Sequence, residues 1–136
     1  FSAFVLTDFG RTFTRWEFDV HVGPGQDMGP FQDPSIREMG ITLTQLRIDA
    51  VGWNGTIPTI FEVKPDARLS AFGQVLAYTW YYESEKGERA YKAVITDSMT
   101  PQVEALYTAF GVDIHLVAPA FPSQILEAQR HVAARS

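Results

Sequence analysis

The chain has 136 residues and a formal net charge of −5, and 46% of its residues are hydrophobic. A chain of this length buries roughly two thirds of its unfolded surface, so we expect a single globular domain over residues 1–136. The acidic balance excludes a surface that attracts polyanions as a whole. Cysteine is absent, which excludes disulfides, thiolate metal sites and cysteine nucleophiles.

Membrane association and secretion are not indicated by the sequence. No apolar run approaches the ~20 residues of a membrane span, and no cleavable signal pattern is visible. The lack of cysteine fits a reducing compartment. We therefore expect a soluble, intracellular protein in the cytoplasm, with no membrane partner.

The N-terminal quarter predicts a helix, a strand and a loop. Apolar residues recur every four positions and favour an amphipathic helix, at Phe1, Val5, Phe9 and Phe13. From Trp16 to Val22 apolar and polar residues alternate, which predicts a half-buried strand. Residues 23–35 are dense in glycine, proline and aspartate and predict a long loop.

The next segment predicts a β-hairpin. A strand runs from about Thr42 to Trp53, and residues 54–56 read Asn-Gly-Thr, which is a strong turn signal. Pro58 can lie only at the beginning or the edge of the third strand, whose body is residues 59–63. We therefore expect the third strand to pair antiparallel with the second.

The remaining sequence alternates helices and strands. Helices are predicted over 71–87, with Ser70 as N-cap and Gly87 as the stop, and over 100–111 and 122–135. Strands are predicted over 90–97 and 112–119. The order α-β-β-β-α-β-α-β-α predicts an α/β domain whose mixed sheet has an antiparallel hairpin followed by parallel strands, flanked by helices.

The predicted hairpin gathers charged side chains. In the third strand Glu62 and Lys64 are two residues apart and so project to one face, and the turn brings Asp49 back beside Glu62. Carboxylate oxygens are ligands that Mg²⁺ accepts, usually one or two from protein, with waters and phosphates completing the octahedron. A lysine beside them can orient water and stabilise charge on a phosphate oxygen.

The motifs resemble a known superfamily. The segments "RIDAV" (47–51), "FEVK" (61–64) and "GQVLAYTWYY" (73–82) are similar to the PD-(D/E)XK nucleases, in particular the RecB-like branch with a Gln-x-x-x-Tyr motif. The resemblance implies a restriction-endonuclease-like core. It also implies an Mg²⁺- or Mn²⁺-dependent enzyme that hydrolyses DNA phosphodiester bonds by metal-activated water, acting as an endonuclease or an exonuclease.

The same resemblance assigns roles to residues. Asp49 and Glu62 would bind the metal together with the backbone carbonyl of Val63, and Lys64 would be the catalytic lysine. Gln74 is a further catalytic candidate, and Tyr78, one helical turn later, would lie beside the site and contact the substrate or support the residues that do. Many members carry another acid on the first helix, for which Asp8 or Glu17 is the candidate.

Alternatives stay open at this point. A Glu-x-Lys pair on a strand is often a solvated ion pair. The acidic charge also suits a catalytically weak nuclease-like domain used for nucleic-acid binding or protein assembly. A small-molecule-binding α/β domain ranks last, since no Gly-rich phosphate loop is present. Because a lone acidic domain offers little basic area, we expect a homodimer or a larger assembly on DNA.

Overall fold

A five-stranded mixed sheet organises the chain in the computed structural model, which describes residues 1–134. Its strands lie side by side in sequence order: β1 (Arg15–Val22), β2 (Leu46–Trp53), β3 (Pro58–Val63), β4 (Tyr91–Thr96) and β5 (Val112–Leu116). The first three strands pair antiparallel, whereas β3, β4 and β5 pair parallel. This confirms the predicted hairpin followed by parallel strands.

Helices flank both faces of the sheet. They are α1 (Ser2–Val5), α2 (Pro34–Thr44), α3 (Leu69–Lys86), α4 (Pro101–Ala109) and α5 (Pro122–Ala133), with a 3₁₀ turn at Gly10–Thr12. The predicted end of the last helix, at residue 135, falls outside the described residues. No helix within residues 1–134 is both long enough and apolar enough to cross a membrane.

The first helix is shorter than predicted. The hydroxyl of Thr7 donates to the Phe4 carbonyl over 2.6 Å and accepts from the Gly10 N–H over 3.0 Å, which replaces helical hydrogen bonds. The chain then folds back so closely that a β-carbon on Gly10 would lie 2.0 Å from the Phe4 oxygen. The apolar side chains spaced four residues apart are therefore divided between the short helix α1, the 3₁₀ turn and the residues between and after them, and do not form one helix.

The predicted loop over residues 23–35 ends at α2, a helix that the pattern did not predict. Asp33 caps this helix, since its carboxylate accepts the Ser35 N–H over 2.9 Å, and Pro34 occupies the first turn. The predicted start of β2 at Thr42 is wrong because Thr42 lies in α2, and β2 begins at Leu46. None of the residues of α2 is buried.

Two apolar layers enclose the sheet. On one side, α1 and α5 cover a cluster that includes Phe4, Phe13, Trp16 and Phe61. On the other side, α3 packs Tyr78 and Tyr82 against strand residues that include Val51 and Ile60. Because side chains alternate along a strand, Glu62 shares the face of Ile60 and points toward α3.

The boundaries of α3 differ from the prediction at one end. The helix begins at Leu69, so Arg68 rather than Ser70 takes the N-cap position, and it does so without a side-chain cap. The helix ends at Gly87 as predicted, where a φ of 64° closes it. This end is favourable for glycine because the left-handed region carries no steric cost without a β-carbon.

Candidate functional site

Asp49 and Glu62 meet at the open end of the β2–β3 hairpin. The paired register runs from Trp53–Pro58 to Ala50–Phe61, and the two acids are the next residues along each strand. The N–H of Val63 donates to Oδ2 of Asp49 over 2.9 Å, which fixes this carboxyl against β3. Asp49 is exposed, whereas Glu62 is only 5% exposed. The hairpin thus brings together the two acids that its sequence predicted to converge.

Burial and charge perturb Glu62 strongly. Burial, and then the negative charge of Asp49, raise the pKa of Glu62 to about 7, while the positive charge of Lys64 acts in the opposite direction. Within residues 1–134, no donor reaches the buried Oε2 atom of Glu62. A buried carboxylate oxygen without a partner is costly, and a cation is one group that would compensate it.

Lys64 follows the last residue of β3. Its N–H donates to the Ile95 carbonyl over 3.0 Å, so the backbone stays beside β4 while the side chain is exposed. A groove of about 210 Å³ borders Lys64 and Pro65 and continues past Asp97 to Pro119. Lys64 therefore lines this groove and also acts on Glu62 through its charge.

The two candidates on α3 are both at least partly buried, and Tyr78 lies within the influence of the acids. Burial, and then the charges of Glu62 and Asp49, raise the pKa of the Tyr78 hydroxyl. One turn earlier, Oε1 of Gln74 is buried and meets no donor among the residues that the structure describes. The helix thus places Tyr78 in the electrostatic neighbourhood of the carboxyls.

The candidates for a further metal ligand do not join the pair. Asp8 is exposed in the turn after α1, and Glu17 is exposed on β1, where its carboxylate lies 3.7 Å from Arg15. In the described part of the chain no three acidic, histidine or cysteine side chains form a metal-binding group. Asp49 and Glu62 therefore form a pair of carboxylates that no third acidic, histidine or cysteine side chain among residues 1–134 joins.

One neighbour of the site was not predicted from the sequence. Tyr107 of α4 is fully buried, and its hydroxyl donates to the Arg68 carbonyl over 2.6 Å. Burial, and then the charge of Glu62, raise the pKa of Tyr107 to about 12. Its position two residues before the end of α4 indicates only a helix, so the sequence held no signal for this contact.

Several arginines of the described chain form ion pairs with acids. Four of these pairs, with N···O distances of 2.7 to 3.7 Å, are Arg11–Glu127, Arg15–Glu17, Arg47–Asp19 and Arg68–Asp66. Each pair is largely exposed, so each contributes little to stability. The pairs also reduce the free positive charge of the surface, which for Arg47 includes the part of β2 that leads to Asp49.

The donor set suits a hard divalent cation. Two carboxylates, one exposed and one buried with an unpartnered oxygen, match the one or two protein carboxylates that Mg²⁺ usually takes. The backbone of Val63 already contacts Asp49, so its carbonyl belongs to the same small region. Residues Asp49 and Glu62 could therefore hold Mg²⁺ or Mn²⁺.

Comparisons with known proteins give a likeness in structure. Neither a family model nor a curated protein matches the chain. A repair endonuclease from Pyrococcus abyssi superposes with a TM-score of 0.50 and 19% identity, over 74% of this chain and 40% of that chain. An EndoMS–dsDNA2 complex superposes with a TM-score of 0.50 and 16% identity, over 74% of this chain and 39% of the other.

The chain thus spans about 40% of the length of these solved structures. At such low identity the likeness concerns the fold alone. The mixed five-stranded sheet with helices on both faces agrees with it. The chain has a restriction-endonuclease-like α/β fold.

Proposed function

We propose that the chain is a metal-dependent nuclease that hydrolyses DNA phosphodiester bonds. One observation carries the proposal: the buried carboxyl of Glu62 lies against the exposed carboxyl of Asp49, within the field of Lys64. Like charges held together at such a cost are typical of functional sites. A restriction-endonuclease-like fold with this pair at a strand end supports nuclease chemistry over a structural ion pair.

The chain's own residues would divide the work. A bound Mg²⁺ lowers the pKa of a coordinated water and neutralises phosphate charge. Asp49 and Glu62 would hold the ion, helped by the Val63 carbonyl. Lys64 would position the attacking water and stabilise charge that develops on the phosphate. Gln74 and Tyr78 would orient these groups from α3.

DNA is the proposed substrate, and a homodimer or larger assembly is the proposed active form. The similar solved structures are a repair endonuclease and an EndoMS complex with dsDNA. The chain itself carries a net charge of −5, and its arginines near the site are paired with acids. A second copy or a further domain would add phosphate contacts to the few that one such domain can make.

A second candidate is a nuclease-like domain with little activity. The same pairing of arginines with acids favours it, because a domain used for assembly needs no free basic groove. In this case the carboxyl pair would bind metal without rapid hydrolysis.

Incubation of the purified chain with plasmid and linear DNA tests the proposal. Cleavage should appear with Mg²⁺ or Mn²⁺ and disappear in excess chelator, and Glu62→Gln should lack it. Cleavage that persists in chelator, or that Glu62→Gln retains, would contradict the mechanism. Metal binding without cleavage would support the assembly candidate. Sedimentation in the same buffer should show a dimer or larger species.

A further inference from the structure

A network of polar side chains lies on β1 and β2, near the carboxyl pair. Nε and Nη2 of Arg47 each donate to Asp19 over 2.7 Å. Nε2 of His21 lies 3.6 Å from Oδ2 of Asp19, and Nδ1 of His21 lies 3.1 Å from the Thr42 carbonyl oxygen. Asp19 is therefore held between a cation and an imidazole.

The register of β1 and β2 places this network beside the candidate site. Phe18 pairs with Ala50 and Val20 with Ile48, so Asp19 lies opposite Asp49. Arg47 precedes Asp49 by two residues along β2, roughly 7 Å along the strand. Because β2 and β3 are antiparallel, the first residues of β2 and the last residues of β3 lie at the same end of the sheet. Arg47 and Lys64 thus lie at the same end of the sheet.

The backbone of Asp19 has an unusual conformation for a strand residue. Its φ is 52°, in the left-handed region that non-glycine residues rarely adopt. Such conformations persist only where the surrounding structure holds them, and they cluster at active sites and ligand-binding sites. Here the carboxylate is aimed at the guanidinium of Arg47.

Arg47 keeps donors available for a ligand. A guanidinium has five N–H donors, and Asp19 engages one on Nε and one on Nη2. The side chain is 59% exposed, so its remaining edge faces solvent. A planar fork of this kind is suited to the oxygens of a phosphate.

We propose that Arg47 binds a phosphate of the nucleic-acid strand next to the one that is hydrolysed, and that Asp19 is the positioning residue that orients its guanidinium. The inference rests on the proposed nuclease function and narrows its ligand to a strand with at least two neighbouring phosphates. Because Arg47 is displaced along β2 from Asp49, it is placed for a different phosphate from the one at the carboxyl pair.

The test compares Arg47→Ala and Arg47→Lys with a matched pair elsewhere. Arg37 donates to Asp27 in the same two-point manner, over 2.9 and 2.6 Å, on α2. Binding of a labelled single-stranded oligonucleotide is measured by anisotropy in Ca²⁺ at several salt concentrations. Arg47→Ala should weaken binding by about tenfold and lower the slope of log affinity against log salt by about 0.7 to 1. Arg47→Lys should weaken binding by less than Arg47→Ala does. Arg37→Ala should change neither the affinity nor the salt slope.

Asp19→Asn separates positioning from overall charge. Removal of a negative charge alone would strengthen binding of a polyanion. If Asp19 orients Arg47, the oligonucleotide should instead bind more weakly in this variant. An affinity that rises would overturn the role given to Asp19.

Cleavage measurements separate the inference from the nuclease proposal. For Arg47→Lys the KM for the oligonucleotide should rise more than kcat falls, and the loss for bis(p-nitrophenyl) phosphate, which has no neighbouring phosphate, should be smaller. Equal losses for both substrates, or a salt slope like that of Arg37→Ala, would overturn the inference. A parent protein that binds but never cleaves would contradict the nuclease proposal alone, since the binding slopes still decide on Arg47. A parent that binds no oligonucleotide would overturn the inference itself.

Discussion

Asp49 accepts the Val63 N–H over 2.9 Å, directly beyond the last paired residues of the hairpin. This hydrogen bond ties an exposed carboxyl to the strand that carries the buried Glu62. The negative charges of Asp49 and Glu62 repel each other. The hydrogen bond from Val63 nevertheless keeps the carboxyl of Asp49 beside β3. The measurable consequences concern stability, activity and packing.

Glu62→Gln should change the pH dependence of stability. The pKa of Glu62 is raised from 4.5 to about 7 in the folded protein, so the folded state binds this proton more tightly than the unfolded state. The parent should therefore lose stability as pH rises from about 4.5 to 7, with the full penalty above 7. Urea unfolding in chelator should show Glu62→Gln gaining on the order of 2 kcal/mol over the parent between pH 5 and 8.

Glu38→Gln, on exposed α2, is the control and should follow the parent at every pH. Addition of Mg²⁺ at pH 8 should stabilise the parent but not Glu62→Gln, since bound cation offsets the repulsion. If the free energy of unfolding depended on pH in the same way for the parent and for Glu62→Gln, the burial of this carboxyl would have no cost.

Substitutions on α3 should lower activity without large losses in stability. Tyr78→Phe removes the hydroxyl near Glu62 and Asp49, and Gln74→Ala removes a buried amide whose oxygen lacks a donor in the described chain. Each should reduce DNA cleavage by about 10 to 100-fold, the effect common for groups that orient ligands. Ser84→Ala is the control, because Ser84 lies near the C-terminal end of the same helix and its hydroxyl donates to the Trp80 carbonyl. This variant should cleave like the parent. Cleavage rates and melting temperatures of the same preparations check this.

Gly52→Ala should destabilise the fold. A β-carbon at this position of β2 would lie 2.7 Å from the Trp16 ring and 2.8 Å from the Phe13 ring. Both rings are buried, so they cannot move aside cheaply, and such overpacking typically costs about 1–3 kcal/mol. Gly55→Ala, in the hairpin connection with no neighbour within 4 Å, is the control. Equal unfolding free energies for the two variants would contradict the packing described for this face.

Much of the sheet could be predicted because its signals are local. Alternation over Trp16–Val22, the Asn-Gly turn and Pro58 at a strand start each act within a few residues, and the structure has β1 and the β2–β3 hairpin at these places. The helix α2 was not predicted because the residues before it, and its own first residues, are rich in the glycine, proline and aspartate that are typical of loops. The cap Asp33 followed by Pro34 was the available signal.

The site was predictable in its first members and not in its surroundings. The closeness of Asp49 and Glu62 follows from the hairpin register, and the structure has Tyr78 on the face of α3 that packs on the sheet. Tyr107 comes from a different helix, and the two-point contact of Arg47 with Asp19 depends on a φ of 52° that no sequence pattern announces. Contacts between distant elements therefore needed the structure. The RecB-like assignment and the roles of the individual residues stay predictions.

Lys64→Ala tests the central claim most directly. The side chain is exposed, so its loss should leave the melting temperature near that of the parent, within the ~0.5 kcal/mol usual for surface substitutions. DNA cleavage in Mg²⁺ should nevertheless fall by at least about 100-fold, because the charge that positions water and phosphate is gone. Lys86→Ala, at the end of α3, is the matched control and should cleave like the parent. We predict a stable Lys64→Ala protein that binds Mn²⁺ but does not cleave DNA, and parent-like cleavage by this variant would contradict the account.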